Sequence, residues 1–342
     1  MNIALDATYS LGGTLSGVGL YSRELLYGLA AGHPETRFHF CYRPHRYFRS
    51  WQTPLPRNAR RTLLAEPFGP RRAELFHGLN QRLPQIPLRR AIATFHDLFV
   101  ITGEYSTPGF RARFAEQARD AAARSAAVIT VSEFTRSQVV SLLGVDPAKV
   151  HVVHHGTRLL EFPVAPREKI VLNVGAIQKR KNIARLVEAF ETVDPDWRLV
   201  LAGSPGFGSA EIVARIARSP ARERIAVPGY VSPADLAALY ARARIFAFPS
   251  LDEGFGMPVL EAMAAGVPVV TSNRSALPEV AGAAAILVNP DDTEALGQAL
   301  RELARNEELC NEMARLGAER ARLFTWSKAV RETWDVYREV LG

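Results

Sequence analysis

The chain has 342 residues, 47% hydrophobic and 23% charged, which excludes a disordered polypeptide and fits two α/β domains of roughly 150 residues each better than one core. Its two cysteines, Cys41 and Cys310, lie far apart without metal-type spacing, so the sequence favours a reducing compartment and gives no support for a zinc or iron–sulfur site. The net charge of +7 is uneven, with 20 Lys and Arg against 11 Asp and Glu in residues 1–160 and 22 against 24 in the remainder.

The opening MNIALDA has no basic segment followed by an apolar one, so no signal peptide is expected. No later run reaches the roughly 18 to 20 apolar residues that span a bilayer. A cytoplasmic protein is the expectation. Ile3 to Ala7 read as a first strand, followed by the loop GGTLSGVG and a helix carrying Val18, Tyr21, Leu25, Leu26 and Leu29. Gly12, Gly13, Gly17 and Gly19 are therefore expected in a strand-to-helix turn. They serve the turn itself or let a phosphate or sugar pass close to the backbone; G-x-G-x-x-G spacing and a Walker lysine are both absent.

Arg37 to Tyr42 suggest a second strand. The Pro- and Arg-rich section from Pro44 to Pro87 has no clear order beyond a short strand near Glu74 to His77. Eleven arginines between Arg43 and Arg90 suit an anionic membrane face, an acidic substrate or an ordinary solvated surface. Nucleic acid is disfavoured by the interleaved prolines and the lack of a recognised module. Ala91 to Phe95 deliver His96-Asp97 to a strand end, where His96 is a sugar contact, a proton carrier or a backbone-bonded side chain. Arg111 to Ala127 read as helix and Ala127 to Val131 as strand. Ser132 caps a helix from Glu133, and Val150 to Val153 lead to His154-His155, read as loop polar groups.

A linker is expected over Leu160 to Glu168, EFPVAPRE at its centre, which divides a first domain, 1–163, from a second, 168–326. In the second domain the strand Lys169 to Val174 leads through a loop to a helix over Asn182 to Phe190. Arg180 and Lys181 stand at that helix's start, where cations gain nothing from the macrodipole unless an anion lies between them and the amides. Further strands are expected at Arg198 to Ala202, Ile225 to Tyr230 and Ala285 to Val288. Helices are expected at Glu211 to Ala217, Ala234 to Ala243 with Ser232 as cap, Asp292 to Ala304 and Glu308 to Leu323. The last helix, Ser327 to Val340, carries Trp334 and Tyr337 and is expected to pack back on the first domain.

Residues 247–268, AFPSLDEGFGMPVLEAMAAGVP, are the most informative stretch. A strand ends at Pro249-Ser250, Pro258 opens a helix, and Gly266 follows the helix end before the next strand, Val267 to Thr271. Strand, loop, helix, strand is the unit of a parallel sheet, whose ligands sit beyond the strand C-termini. Glu253 and Glu261 flank the helix start. Gly254 and Gly256 let the backbone approach a ligand, and Phe255 would supply an apolar wall.

The stretch DEGFGMPVLEAMAAGVPVVTSNRSALPEVAG resembles the signature region of family 4 retaining glycosyltransferases with the GT-B fold. HDL at 96–98, VSEFTR at 131–136, HHG at 154–156, NVGAIQKRKNIARLVEAF at 173–190 and FTW at 324–326 extend the likeness over most of the chain. The subgroup it is most similar to includes bacterial mannosyltransferases of cell-surface polysaccharide assembly. The resemblance implies two Rossmann-like domains with parallel sheets facing across a cleft, the sugar nucleotide mainly on the second and the acceptor on the first. Glu253 and the Phe255-Gly256-Met257 backbone, next to Gly254, would hold the transferred hexose and nearby phosphate, and Glu261 the ribose hydroxyls. Arg180 and Lys181 would neutralise the diphosphate, with Gly17 approaching it from the other side, and His96 would contact the hexose.

Many relatives carry an arginine after the glycine corresponding to Gly175, where this chain has Ala176, and Lys181-Asn182 replaces the commoner lysine-glycine. No Asp-x-Asp pair marks a metal site, so no metal or cofactor is expected. The favoured donor is GDP-mannose and the acceptor a glycan or a polyprenyl-diphosphate-linked glycan, with possible peripheral contact to an anionic membrane. A sugar-nucleotide epimerase and a non-catalytic sugar-nucleotide-binding protein are the alternatives.

Overall fold

The computed structural model describes residues 1–13, 15–65, 67, 69–157 and 162–342. The chain forms two compact units, Met1–Gly156 with Thr325–Gly342, and Thr157–Phe324. Of the expected linker, Leu160 and Glu161 lie outside the described residues. The division falls at 156/157 and 324/325, a few residues before the expected 163–168 and 326/327.

The first unit is built on seven parallel strands: β1 (Asn2–Asp6), β2 (Arg37–Tyr42), β3 (Ala59–Leu63), β4 (Leu75–Gly78), β5 (Ala91–Phe95), β6 (Ala127–Thr130) and β7 (Val150–Val152). Their order is β3-β2-β1-β4-β5-β6-β7. Chain direction of travel across the sheet reverses between β1 and β4, the place where doubly wound sheets open a crevice for ligands. Every residue of β4, β5 and β6 is buried, as expected when both sheet faces are covered.

Several local expectations are corrected. β3 was not foreseen because its ARRTL carries two arginines; it pairs only with β2 at the sheet edge, where charge is tolerated. The stretch after Pro44 is ordered as a short helix, Pro44–Tyr47, running into a 3₁₀ segment, Phe48–Gln52. The helix expected from Arg111 is Pro108–Arg124, with proline in its first turn. Gly17 and Gly19 belong to the first turn of the helix Gly17–Gly32, capped by Ser16, rather than to the preceding turn. Gly19 is required for packing, because a Cβ there would lie 2.8 Å from the Tyr9 carbonyl oxygen.

The C-terminal helix Trp326–Leu341 completes the first unit's core. Ala329, Trp334, Val336 and Tyr337 pack with Ile3, Leu5 and Leu25, and Trp334 stacks on His33 with ring centroids 3.5 Å apart. Burial of a side chain as large as Val336 contributes on the order of 2 kcal/mol.

The second unit repeats the plan with β8 (Glu168–Val174), β9 (Arg198–Ala202), β10 (Ile225–Gly229), β11 (Ala243–Phe248), β12 (Val269–Ser272) and β13 (Ile286–Val288). The order is β10-β9-β8-β11-β12-β13, all parallel, with its reversal between β8 and β11. Helix starts follow their side-chain caps: Ser232, Asp292 and Asn306 each accept a hydrogen bond from the backbone N–H three residues on.

Candidate active site

In the second unit the loops after β8 and β11 meet at the sheet's switch point. Gly175 leaves β8 at φ +147°, and the 3₁₀ turn Lys179–Lys181 then brings Arg180 and Lys181 toward the β11 loop. The Leu251 N–H donates to the Arg180 carbonyl at 2.9 Å, which ties the two loops together through backbone. Lys181 Nζ lies 2.6 Å and Arg180 Nη1 2.9 Å from Glu253 Oε1. The Arg180 guanidinium also donates to the Asp252 carbonyl. The Lys181 ammonium sits 4.5 Å from the centre of the Phe248 ring.

All three side chains are buried. Burial pushes the Glu253 carboxyl up, but the Arg180 and Lys181 charges and their hydrogen bonds outweigh it and hold the group at about 2. Two cations thus converge on one carboxylate oxygen. The expected anion beside Arg180 and Lys181 is in part the protein's own Glu253, 72 positions after Lys181. Asn182 follows at φ +57°, its side-chain amide donating to the Pro290 carbonyl at 2.7 Å, and the helix Ile183–Phe190 begins.

The second wall of the site is the helix Met257–Ala264. Gly256 precedes it at φ +111°, and a Cβ there would approach Leu277 Cδ2 to 2.7 Å. Gly254 is buried beside Glu253. The Glu253 N–H donates to Ser275 Oγ at 3.0 Å, so the loop after β12 braces the carboxylate's backbone. Ser275 itself adopts φ +55°. Glu261 lies one turn into the helix and accepts from the Tyr240 hydroxyl at 3.0 Å. Burial, reinforced by Glu261, raises the Tyr240 phenol well above its usual range, so it stays protonated and donates.

The Phe255 ring is buried and packs edge-on against Phe324 at 5.8 Å. Its backbone, with Gly256 and Met257, carries the helix start.

His96 and Gly17 belong to the first unit. His96 follows β5 and is buried. Its Nε2 lies 3.0 Å from the Leu79 carbonyl, and its Nδ1 3.4 Å from His155 Nε2. The carbonyl requires the proton on Nε2, so Nδ1 accepts from His155. Tyr21 packs edge-on against both imidazoles, at 4.7 and 4.9 Å. Burial lowers His96 to about 4 despite the Leu79 contact, which favours the neutral imidazole. His155 lies in the loop after β7, as read from the sequence, and is buried beside His96. Gly17 is exposed at the helix start, beside the Ser16 cap.

Tyr240, Ser275 and His155 were missed as site residues. His155 and Ser275 carried a signal, each lying within a segment that bears the family likeness; Tyr240 looked like any core aromatic on an amphipathic helix. Among the described residues, no group of three or more His, Cys, Asp or Glu is placed to hold a metal ion. No described helix is long and apolar enough to cross a membrane.

Residues 20–159 match the family described as Glycosyltransferase Family 4, and residues 161–320 that described as Glycosyl transferases group 1. The O-antigen chain mannosyltransferase B of Escherichia coli is 32% identical over 282 residues, covering 77% of this chain and 74% of the relative. The MMP alpha-(1->4)-mannosyltransferase of Mycolicibacterium hassiacum is 30% identical over 67% of this chain, which spans only 58% of that relative's length. Among solved structures, the sucrose-phosphate synthase of Thermosynechococcus elongatus superposes with a TM-score of 0.78 over 99% of this chain and 98% of that one, at 22% identity. Anabaena HepE, in complex with UDP and glucose, does so with 0.77 over 99% and 100%, at 17%. The shared architecture is GT-B, with two parallel-sheet Rossmann-like domains. The chain belongs to the group 1, family 4 glycosyltransferases.

Proposed function

We propose that this glycosyltransferase moves mannose, with retention of configuration, from GDP-mannose to a glycan or a polyprenyl-diphosphate-linked glycan in the cytoplasm. The observation that carries the reading is the buried Arg180–Glu253–Lys181 cluster at the switch point, where two cations converge on one carboxylate oxygen. Mannose is favoured by the names of the two relatives above, and the unpaired thiols of Cys41 and Cys310 suit a reducing compartment.

The donor's diphosphate lies against Arg180, Lys181 and the amides that open the Met257 helix. Glu261, held by Tyr240, takes the ribose hydroxyls. Glu253 and the Gly254–Met257 backbone hold the hexose. As the bond from C1 to the phosphate oxygen breaks, negative charge grows on the leaving diphosphate, where fixed cations and amides stabilise it more than in the ground state. The acceptor oxygen bonds to C1 on the same face and gives its proton to the departing phosphate oxygen. Glu253 is a positioning carboxylate and not the nucleophile of a double displacement, because its oxygen is committed to two cations. These cations and amides do the work a metal does in other transferases, so the reading assigns no metal or cofactor.

The test is a binding and donor-hydrolysis panel with GDP-, UDP-, ADP- and dTDP-sugars. GDP-mannose is expected to bind and to hydrolyse slowly without acceptor. Preference for a UDP-sugar overturns the donor assignment, and failure of every sugar nucleotide to bind overturns the reading.

A further inference from the structure

Between Thr36 and Ala65 the chain has seven arginines and no Asp or Glu. Much of this segment is held in place. Arg61 Nε donates to the Ser50 carbonyl at 3.1 Å, its Nη2 to the Thr53 carbonyl, and the Tyr27 hydroxyl to the Pro54 carbonyl at 2.8 Å. Its tip is the helical stretch formed by Pro44–Tyr47 and Phe48–Gln52.

In helical backbone, residues three apart share a row. The stretch therefore has three rows. Tyr47 and Ser50 face inward: Tyr47 packs on the core and Ser50 is fully buried. His45, Phe48 and Trp51 form a second row, with Phe48 82% and Trp51 64% exposed. Arg46, Arg49 and Gln52 form the third, and among the described residues neither arginine makes an ion pair with a carboxylate. Trp51 is held over the Arg61 guanidinium, 5.0 Å from its ring centre. Two large aromatics presented to water from a braced segment, beside unpaired guanidinium groups, form an amphipathic edge. Aromatic rings sit well at the headgroup level, and arginines gain from an anionic leaflet.

We propose that the Pro44–Gln52 tip docks the first unit onto anionic phospholipid, Phe48 and Trp51 entering the interface while Arg46 and Arg49 meet lipid phosphates. The carboxylate-free charge of the segment selects a negative surface, and the aromatic row selects one that can be entered. This inference is independent of which sugar is transferred.

The full-length protein is pelleted with vesicles of phosphatidylcholine alone or mixed with phosphatidylglycerol, at low and high salt. Binding is expected only to the phosphatidylglycerol vesicles, weakened on the order of tenfold by R46Q/R49Q. F48S/W51S is expected to abolish whatever binding survives high salt. Both variants should keep wild-type thermal unfolding and wild-type affinity for free nucleotide, since all four side chains lie in the other unit from the cluster around Glu253. No pelleting with phosphatidylglycerol at low salt overturns the proposal, as does equal binding by F48S/W51S and wild type at every salt. Equal pelleting with neutral vesicles overturns the charge selection. Vesicle binding without any sugar-nucleotide binding sinks the proposed function and leaves this inference standing.

Discussion

The Tyr240 hydroxyl, fully buried, donates to the Glu261 carboxylate at 3.0 Å and so fixes a charged side chain one turn into the Met257 helix. Y240F deletes the donor but keeps the ring's packing on Phe246. The variant is expected to raise KM for the sugar nucleotide about fivefold to tenfold, a loss of about 1 kcal/mol, with kcat within about twofold. Steady-state kinetics with varied donor measure the split. A fall in kcat at unchanged KM would remove Glu261 from nucleotide binding.

Lys181 and Glu253 give opposite effects on anion binding. K181M removes a cation and is expected to weaken nucleoside diphosphate binding and to lower transfer at least about 100-fold. E253Q leaves Arg180 and Lys181 buried without their counter-charge and is expected to cost about 3 kcal/mol of stability. The same change removes a carboxylate that competes with a diphosphate for both cations, so diphosphate affinity should hold or rise while transfer falls. Calorimetric titration with GDP and thermal unfolding read both. Equal loss of GDP affinity in the two variants would contradict the assignment.

At Gly256 two obstacles to a side chain are superimposed. The φ of +111° costs a non-glycine residue about 1–3 kcal/mol, and a Cβ would press on Leu277 Cδ2. Trimming Leu277 removes only the second. G256A is expected to be destabilised and inactive, and G256A/L277A to recover little. Substantial recovery of activity in the double variant would show that crowding and not backbone strain sets the requirement.

The two units should respond to acid in different ranges. Burial lowers His96 to about 4 and His77 to about 3, the latter helped by His96. Below about 6.5 the unfolded chain takes protons that these folded sites refuse, so the first unit loses about 1.4 kcal/mol per pH unit per histidine until the folded values are reached. Glu253 is shifted the other way from its ordinary 4.5, to about 2; its contribution is intact above 4.5 and fades only as pH falls toward 2. Hydrogen exchange, corrected for intrinsic rate, should therefore loosen β5 between pH 6.5 and 4 before β11 responds. Simultaneous loosening would refute the histidine account.

Sequence punctuation made much of the second unit legible. Pro249, Pro258 and Gly266 bracket the strand, loop and helix around Glu253 closely enough that the strand end and helix start fall within a residue of their observed places. The Lys181-Asn182 departure also has a physical reading: the position requires φ +57°, which asparagine tolerates, and its side chain adds the bond to Pro290 that glycine lacks. Long-range pairing was not legible. Nothing in local spacing says that Glu253 neutralises Arg180 and Lys181, that Phe255 turns inward onto Phe324, or that His155 meets His96. Such contacts depend on which strands become neighbours, and β3 shows how an arginine-rich edge strand escapes a hydrophobic pattern.

The C-terminal helix has a consequence for biosynthesis. His77 Nδ1 is bonded to the Tyr337 hydroxyl at 2.6 Å, 260 positions later. On a ribosome the first unit must therefore wait, with Leu25 and Ile3 uncovered, until Tyr337 has emerged, whereas residues 157–324 are by then fully translated. The half made second is the half that can finish first, and chaperone demand should concentrate on the N-terminal sheet.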